Sequence, residues 1–415
     1  MPSKPNVKPL RGVVRVPGDK SISHRSLMLG ALCDGVVEVT GLGSGGDNGS
    51  TARILKQLGV TIEAEDGATR VHGVGLDGLE APSEPLDCGN SGTTMRLMLG
   101  ILAGQPFEVT LVGDDSLSSR PMRRVLDPLK RMGLEVVEAR DGTYAPLRVR
   151  GKRPLTAMHY DSPVASAQVK SCIMLAGLYA DGQTTVSEPG PSRDHTERML
   201  AYLGTPPAAK PLDVPGDLSS AAFMLGAALL VPGSRVTVDN VGVNPTRTGV
   251  LDAFEAMGIG VEQSNVHVRC GEPRADLTVA HGPLAPFTIA GALTVRAIDE
   301  LPLLATIASQ AAGMSEIRDA EELRVKESDR IAKTVELLQS FGVAAEELED
   351  GIRVHGDPNK PLKAGRIDAH GDHRIAMCAF LLARIAPDGT VIDGADSINS
   401  SFPTFHSTLE ALAGG

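Results

Sequence analysis

VPGDKSISHRSLMLGALCDGVVEVTGLG, residues 16–43, is the stretch whose reading decides the fold. It reads as a Pro-Gly turn, a polar patch, an apolar helix over 27–32, a glycine break and a β-branched strand over 36–40. The pattern returns at Val214 as VPGDLSSAAFMLGAALLVPGSRVTVDNVG, which keeps VPGD and MLGA but drops Lys20, His24 and Arg25. Looser copies start near Gly89 (GNSGTTMRLMLGILAG), Ser162 (SPVASAQVKSCIMLAGLYADG), Asp299 (DELPLLATIASQAAG) and Gly371 (GDHRIAMCAFLLARIAPDG). A second helix closed by glycine comes next in each, as in STARILKQLG and MRRVLDPLKRMG. Six copies in 415 residues leave about 69 residues each (415/6).

A repeating strand–helix–strand grammar predicts an α/β fold with helices packed on sheets. Because VPGD opens both halves, the domain change is expected at each VPGD. One domain then spans 17–214 (units one to three), and the other 1–16 plus 215–415 (units four to six), with two crossovers. The third unit is irregular. After Gly204 it has only TPPAAKPLD before VPGD, where the other units are read as carrying a hairpin, so an edge hairpin is expected to be shortened or missing beside the hinge.

Bulk composition narrows the function. A formal charge of -11 argues against nucleic acid or an anionic membrane as the main partner. With no tryptophan and 3% aromatics, the core must be aliphatic. Cys33, Cys88, Cys172, Cys270 and Cys378 are scattered with no C-x-x-C pair, as expected of reduced, mostly buried thiols in a cytoplasmic protein. MPSKPNVKPL has no apolar signal-peptide core, and the longest apolar run, 221–231, is too short to span a bilayer.

The polar residues recur just before or at the start of a helix. There the first backbone N–H groups lack intrahelical partners and the helix dipole is positive, so anions are favoured. If the repeats have pseudo-threefold symmetry, several such ends converge, and an acidic protein gains a local anion site.

Each cluster has a plain reading beside the functional one. Ser21 could cap the first helix while Lys20, Ser23 and Arg25 are solvated. Arg120 could belong to a solvated cluster with Arg123 and Arg124, Ser166 and Gln168 could be caps, and Arg193 could pair with Asp194. In ELRVKESDRIAK, Lys326 and Arg330 stand at i, i+4 with Glu327 beside them, as on an exposed, salt-bridged helix face. Asp299 and Asp372 could be caps. Recurrence at equivalent places favours the functional reading, with Asp299 and Glu327 as an acid–base set around an anionic substrate. Gly41, Gly43 and Gly46 spell G-x-G-x-x-G, a weak dinucleotide match, and other units make the same connection without that pattern, as at 112–115; Walker A spacing is absent. No His/Cys/carboxylate spacing suggests a metal. The residues themselves reach as far as an enzyme handling small phosphorylated or carboxylated anions.

Taken together, PGDKSISHR, GNSGTTMR, RPM, SAQVKS, ELRVKESDR and DHR resemble the 5-enolpyruvylshikimate-3-phosphate synthase family over essentially the whole chain. SRDHTERML and SAQVKS are similar to its class II branch. The resemblance implies a two-domain α/β enolpyruvyl transferase fold, each domain built of three βαβαββ units. It also implies transfer of enolpyruvyl from phosphoenolpyruvate to the 5-hydroxyl of shikimate 3-phosphate in the shikimate pathway of aromatic amino-acid biosynthesis. Lys20, Ser21, Arg25, Ser166, Ala167, Gln168, Arg193, Asp299 and Lys326 would then bind shikimate 3-phosphate. Lys20, Asn90, Gly92, Arg120, Gln168, Arg330 and Arg374 would bind phosphoenolpyruvate. Asp299 and Glu327 would be base and acid, helped by Lys20 and Lys326. No cofactor, metal, nucleic acid or membrane is expected, and the chain is expected to be a monomer. Glyphosate would fill the phosphoenolpyruvate site against Gly92. The chain departs from some members in carrying Ser400 where they have lysine. The sister family acting on UDP-N-acetylglucosamine has Lys-Asn in place of Lys20-Ser21, and its loop cysteine nucleophile is not found here.

Overall fold

A helix that is apolar all round has no face to offer water and must be buried. LSSAAFMLGAALL is such a helix, and every residue of Leu218–Leu230 is buried. In the computed structural model, which describes residues 7–65 and 67–414, the first helix of each repeat plays this central part. Among the described residues, one compact unit holds 7–17, Pro215–Val268 and 273–414, and the other holds Gly18–Val214 and Arg269–Glu272.

In the unit containing Pro215, the helices Leu218–Leu230, Leu301–Ala308 and His373–Ile385 pack on one another. The core is mainly aliphatic, with one aromatic nest: Phe405 meets Phe223, Phe402 and Phe380 at centroid distances of 6.5, 5.7 and 6.2 Å. One sheet runs Arg11–Val14, Arg235–Gly242, Glu272–Ala280, Glu262–Arg269; the next runs Thr288–Ile289, Gly313–Ile317, Ile352–Gly356, Ala344–Glu347.

The unit from Gly18 to Val214 has its own core around the helices Lys20–Ala31, Gly92–Ala103 and Ala167–Gly177. Its sheets run Leu212–Asp213, Asp34–Thr40, Ala68–Val74, Thr61–Glu65, and Leu86–Asp87, Glu108–Val112, Tyr144–Arg150, Glu135–Arg140. Second helices end at glycines in the left-handed region, as at Gly59 (φ +90°) and Gly133 (φ +116°), where a Cβ would be strained.

The third repeat has only two short parallel pairs, Leu155–Thr156 with Ala180–Asp181 and His159–Asp161 with Thr185–Ser187. Its last strand, Leu212–Asp213, pairs instead with Val39 and Thr40 of the first repeat. One expectation needs correcting. The sixth repeat also lacks a hairpin among the described residues, having only Arg366–Asp368 beside Val391–Asp393. The outer parallel place in the fourth repeat's sheet is taken by Arg11–Val14.

Two local readings also change. The polar patch before residue 27 is already helical, since the helix begins at Lys20 and its cap is Asp19 rather than Ser21. Lys326 and Arg330 do not share a helix face: a 3₁₀ turn, Glu321–Val325, ends at Lys326, and a new helix starts at Arg330. Asp329 causes the break, its carboxylate accepting from Ala332 N as the cap of the new helix.

Candidate active site

In the unit from Gly18 to Val214, Asp19 Oδ1 accepts from Ile22 N at 2.9 Å, which leaves Lys20 at the first helical position. Lys20 Nζ pairs with Asp47 in the first turn of Gly46–Gln57. Arg25 is buried, donating to Thr196 Oγ1 (2.7 Å), Ser21 O (2.8 Å) and Ser171 Oγ (2.7 Å). Burial lowers its pKa to about 10, so it remains a cation. His24 is fully buried against Thr51 Oγ1 at 2.7 Å, and burial pushes its pKa down to about 3. It is a neutral packing group. Ser23 Oγ accepts from Gly43 N at 2.8 Å.

The glycines of the dinucleotide-like match serve the chain's own packing. A Cβ on Gly41 would lie 2.4 Å from Val214 O, and one on Gly43 would lie 2.6 Å from Gly18 O.

Ser91 caps Gly92–Ala103, accepting from Thr94 N at 3.1 Å, so Gly92 opens that helix. A Cβ on Gly92 would sit 2.9 Å from one Arg96 terminal nitrogen and 3.6 Å from one of Arg120. Arg120 donates to Asn90 Oδ1 at 3.0 Å and Ser116 Oγ at 3.1 Å, while its buried Nε meets no acceptor among the described residues. Arg96 donates to Gln168 Oε1 at 2.7 Å, and Gln168 Nε2 donates to Thr93 Oγ1 at 3.0 Å. Thus Asn90, Gly92, Arg120, Gln168 and Arg96 form one group. Arg96 was not singled out in the sequence because it lies a turn inside its helix, although it ends the GNSGTTMR motif. Ser166 and Ala167 open Ala167–Gly177 without a side-chain cap, and Arg193 precedes His195–Leu203.

The other unit carries an ionic cluster centred on Arg330. Arg330 is 1% exposed and pairs with Asp372 (Nε to Oδ2, 2.8 Å), Glu327 (2.6 Å) and Asp299 (3.6 Å). Burial works to lower its pKa, but Asp372, Glu327 and Asp299 outweigh it and hold the guanidinium above its ordinary value. Arg374 lies 3.9 Å from Asp299. Lys326 Nζ is 3.7 Å from Glu322, about a quarter exposed.

Asp299 is not a cap; the residue before Leu301–Ala308 is Glu300. Asp372 is one, accepting from Arg374 N at 2.9 Å, but it also takes Arg330 and Ser328 Oγ (3.0 Å). Its capping role concealed that second role in the sequence. Ser400 ends a 3₁₀ turn, Ala395–Ser400. Among the described residues no cluster of His, Cys, Asp or Glu is placed to hold a metal, and no helix is long and apolar enough to cross a membrane.

A strongly cationic helix-start group in one unit and a buried arginine ringed by carboxylates in the other are what anion binding with proton transfer requires. The sequence model of the EPSP synthase (3-phosphoshikimate 1-carboxyvinyltransferase) family matches residues 5–409. The chain belongs to this family. It is 50% identical over 412 residues to the 3-phosphoshikimate 1-carboxyvinyltransferase of Alkalilimnicola ehrlichii, covering 95% of this chain and 92% of that one. It is 47% identical over 421 residues to the Brevibacillus brevis enzyme of that name, covering 98% of each. The EPSP synthase structure from Acinetobacter baumannii superposes with a TM-score of 0.87 at 39% identity, covering 99% of this chain and 97% of that one. The enolpyruvyl transferase NikO from Streptomyces tendae shares the fold at 19% identity, TM-score 0.76, covering 98% and 96% of the two chains.

Proposed function

We propose that this chain transfers the enolpyruvyl group of phosphoenolpyruvate to the 5-hydroxyl of shikimate 3-phosphate and releases phosphate, through addition followed by elimination. The observation that carries the reading is Arg330, one buried guanidinium shared by Asp299, Glu327 and Asp372. A cation held among carboxylates can trade one of them for a substrate anion. When phosphoenolpyruvate takes Arg330, Glu327 loses its cation, which favours its protonated form and readies it as an acid.

Glu327 then protonates the methylene carbon as the 5-hydroxyl oxygen bonds to the neighbouring carbon, its proton going to Asp299. Lys326 helps Asp299 by offsetting the negative charge of these carboxylates. In the second step Glu327 takes the methyl proton back, the double bond reforms, the carbon–oxygen bond to phosphate breaks, and the proton held by Asp299 passes to the departing phosphate. Arg120, with Asn90 and Gly92, together with Arg374, holds phosphoenolpyruvate; the acceptor-free Nε of Arg120 suits an anion oxygen. Lys20, Ser21 and Arg25 hold shikimate 3-phosphate, and Ser166, Ala167, Gln168 and Arg193 take its phosphate.

Phosphate release on mixing the two substrates tests the reading. Release with UDP-N-acetylglucosamine in place of shikimate 3-phosphate would instead make the chain a sister enzyme. The same proposal includes a cytoplasmic monomer needing no metal or nucleotide. Supporting it are five free cysteines, with burial pushing Cys33 up to about 11 and so keeping that thiol unreactive. Activity lost to a chelator and restored by a divalent ion would contradict the cofactor part, and a dimer mass by light scattering the oligomeric part.

A further inference from the structure

Lys170 of the SAQVKS motif has no part in the roles above, yet it centres a buried ionic cluster. Its Nζ lies 2.8 Å from Glu188 Oε2 and 2.8 Å from Glu197 Oε1, with the Lys170 and Glu188 side chains 11% and 7% exposed. Burial works to lower the pKa of Lys170, but the bonds to Glu188 and Glu197 outweigh it and raise it. Glu188 is engaged on its other side as well. Its Oε1 accepts from the Ser166 N–H at 2.7 Å, and Ser192 Oγ lies 2.9 and 2.7 Å from its two oxygens.

These contacts join three segments. Ser166 stands directly before the helix Ala167–Gly177, Ser192 directly before Arg193, and Glu197 in the first turn of His195–Leu203. One carboxylate therefore fixes the distance between Ser166–Ala167–Gln168 and Ser192–Arg193, the two edges given above to the substrate phosphate. A carboxylate beside a phosphate site would repel the ligand unless its charge were offset, and Lys170 stands where it can do so. Neighbouring residues serve the same place, since Ser171 and Thr196 both accept from Arg25.

We propose that Glu188 is a positioning residue for phosphate recognition in shikimate 3-phosphate, with Lys170 cancelling its charge. This rests on the reading of Ser166, Gln168 and Arg193 as the phosphate end. Glu188→Ala removes the bracket and should raise KM for shikimate 3-phosphate by about 10- to 100-fold, the effect of losing a hydrogen bond to a charged group. KM for phosphoenolpyruvate should rise by a smaller factor, because among the bracketed residues Gln168 reaches the group of Asn90 and Arg120 only indirectly, through Arg96. Lys170→Met should raise the same KM by leaving Glu188 and Glu197 uncompensated. Adding Glu188→Gln to Lys170→Met should recover part of the loss, as it removes one of the two uncompensated charges and keeps an acceptor.

Purified full-length variants assayed for phosphate release decide the matter. Both KM values rising by the same factor, or no recovery in the double variant, would reduce the cluster to fold maintenance and overturn the proposal. Should Glu188→Ala not fold, Lys170→Met and the double variant carry the test alone. Arg193→Ala separates the two layers. If it leaves KM for shikimate 3-phosphate unchanged, the phosphate-end reading is at fault; if it raises that KM while the cluster variants do not, only this proposal fails.

Discussion

Asp19 and Asp217 do the same work in the two VPGD segments: Asp19 Oδ1 accepts from Ile22 N at 2.9 Å, and Asp217 Oδ1 accepts from Ser219 N at 2.7 Å. Beyond the cap the two helices diverge. After Asp19 the helix itself supplies Lys20 and Arg25, with Lys20 about a quarter exposed and paired with Asp47. After Asp217 the helix is apolar and wholly buried, and a cation arrives from elsewhere. Arg247 donates to Ser219 Oγ at 2.7 Å and lies 3.6 Å from Asp217 and 3.9 Å from Glu300, all nearly out of solvent. The first copy keeps positive charge where a ligand can reach it. The second turns the same place into an internal salt-bridge cluster. A cap therefore specifies where a helix starts, and its charged neighbours decide whether that start binds anything.

If the unit containing Pro215 gave up anion binding at Asp217, its chemistry must lie in the Arg330 cluster. Glu327→Gln should therefore have the largest effect, cutting turnover by about 10²–10⁴-fold, the usual worth of a general acid, while both substrates still bind. Single-turnover phosphate release with calorimetric binding checks this. A variant keeping most of its turnover would move the acid elsewhere and weaken the division between the units. Next comes Arg247→Met, which strands buried carboxylates and should cost about 3–5 kcal/mol of stability in denaturant titrations, with KM values unmoved. Its mirror is Lys20→Met. That change should leave stability nearly as it was and raise KM for both substrates by roughly 10- to 100-fold, by loss of charge-assisted hydrogen bonds. Reversed outcomes for the pair would erase the contrast between the two helix starts.

The pattern of these residues was legible where chemistry and helix starts coincide. Lys20, Gly92, Ser166, Asp299 and Arg374 stand at or next to such starts; the repeat marks Lys20, Ser166, Asp299 and Arg374 as candidates, and the family resemblance adds Gly92. Residues acting from within an element left no such mark. Arg96 lies a turn inside its helix and reveals itself only through Gln168. Asp372 has an ordinary capping job that hides its grip on Arg330 across 42 residues of sequence. Glu188 ends a stretch whose strand, Thr185–Ser187, gives no hint of Ser166 or Lys170. ELRVKESDRIAK misled for a local reason: its charges fit a helix at i, i+4, but Asp329 caps a new helix in the middle of it. Pairings between distant polar residues depend on packing, which periodicity does not record.

The smallest effect is expected at Gly92, where an added methyl separates inhibitor from substrate. Glyphosate is slightly longer than phosphoenolpyruvate, and a misfit of one carbon group is worth ~1–3 kcal/mol. Here the new Cβ would come 2.9 Å from an Arg96 terminal nitrogen, too close to stay, yet that nitrogen ends a flexible side chain and can withdraw. Arg120, 3.6 Å away, need not move. The lower end of the range therefore applies: Gly92→Ala should weaken glyphosate inhibition by about tenfold. KM for phosphoenolpyruvate should rise by a smaller factor, because the shorter ligand keeps Arg120 and loses little when Arg96 shifts. Inhibition constants for wild type and Gly92→Ala, with shikimate 3-phosphate saturating, measure both. A rise in KM equal to the loss of inhibition would mean that the methyl acts through Arg96 on all ligands alike. A wild type already indifferent to glyphosate would mean that Ser400, or another departure from the family pattern, excludes the inhibitor before Gly92 is reached.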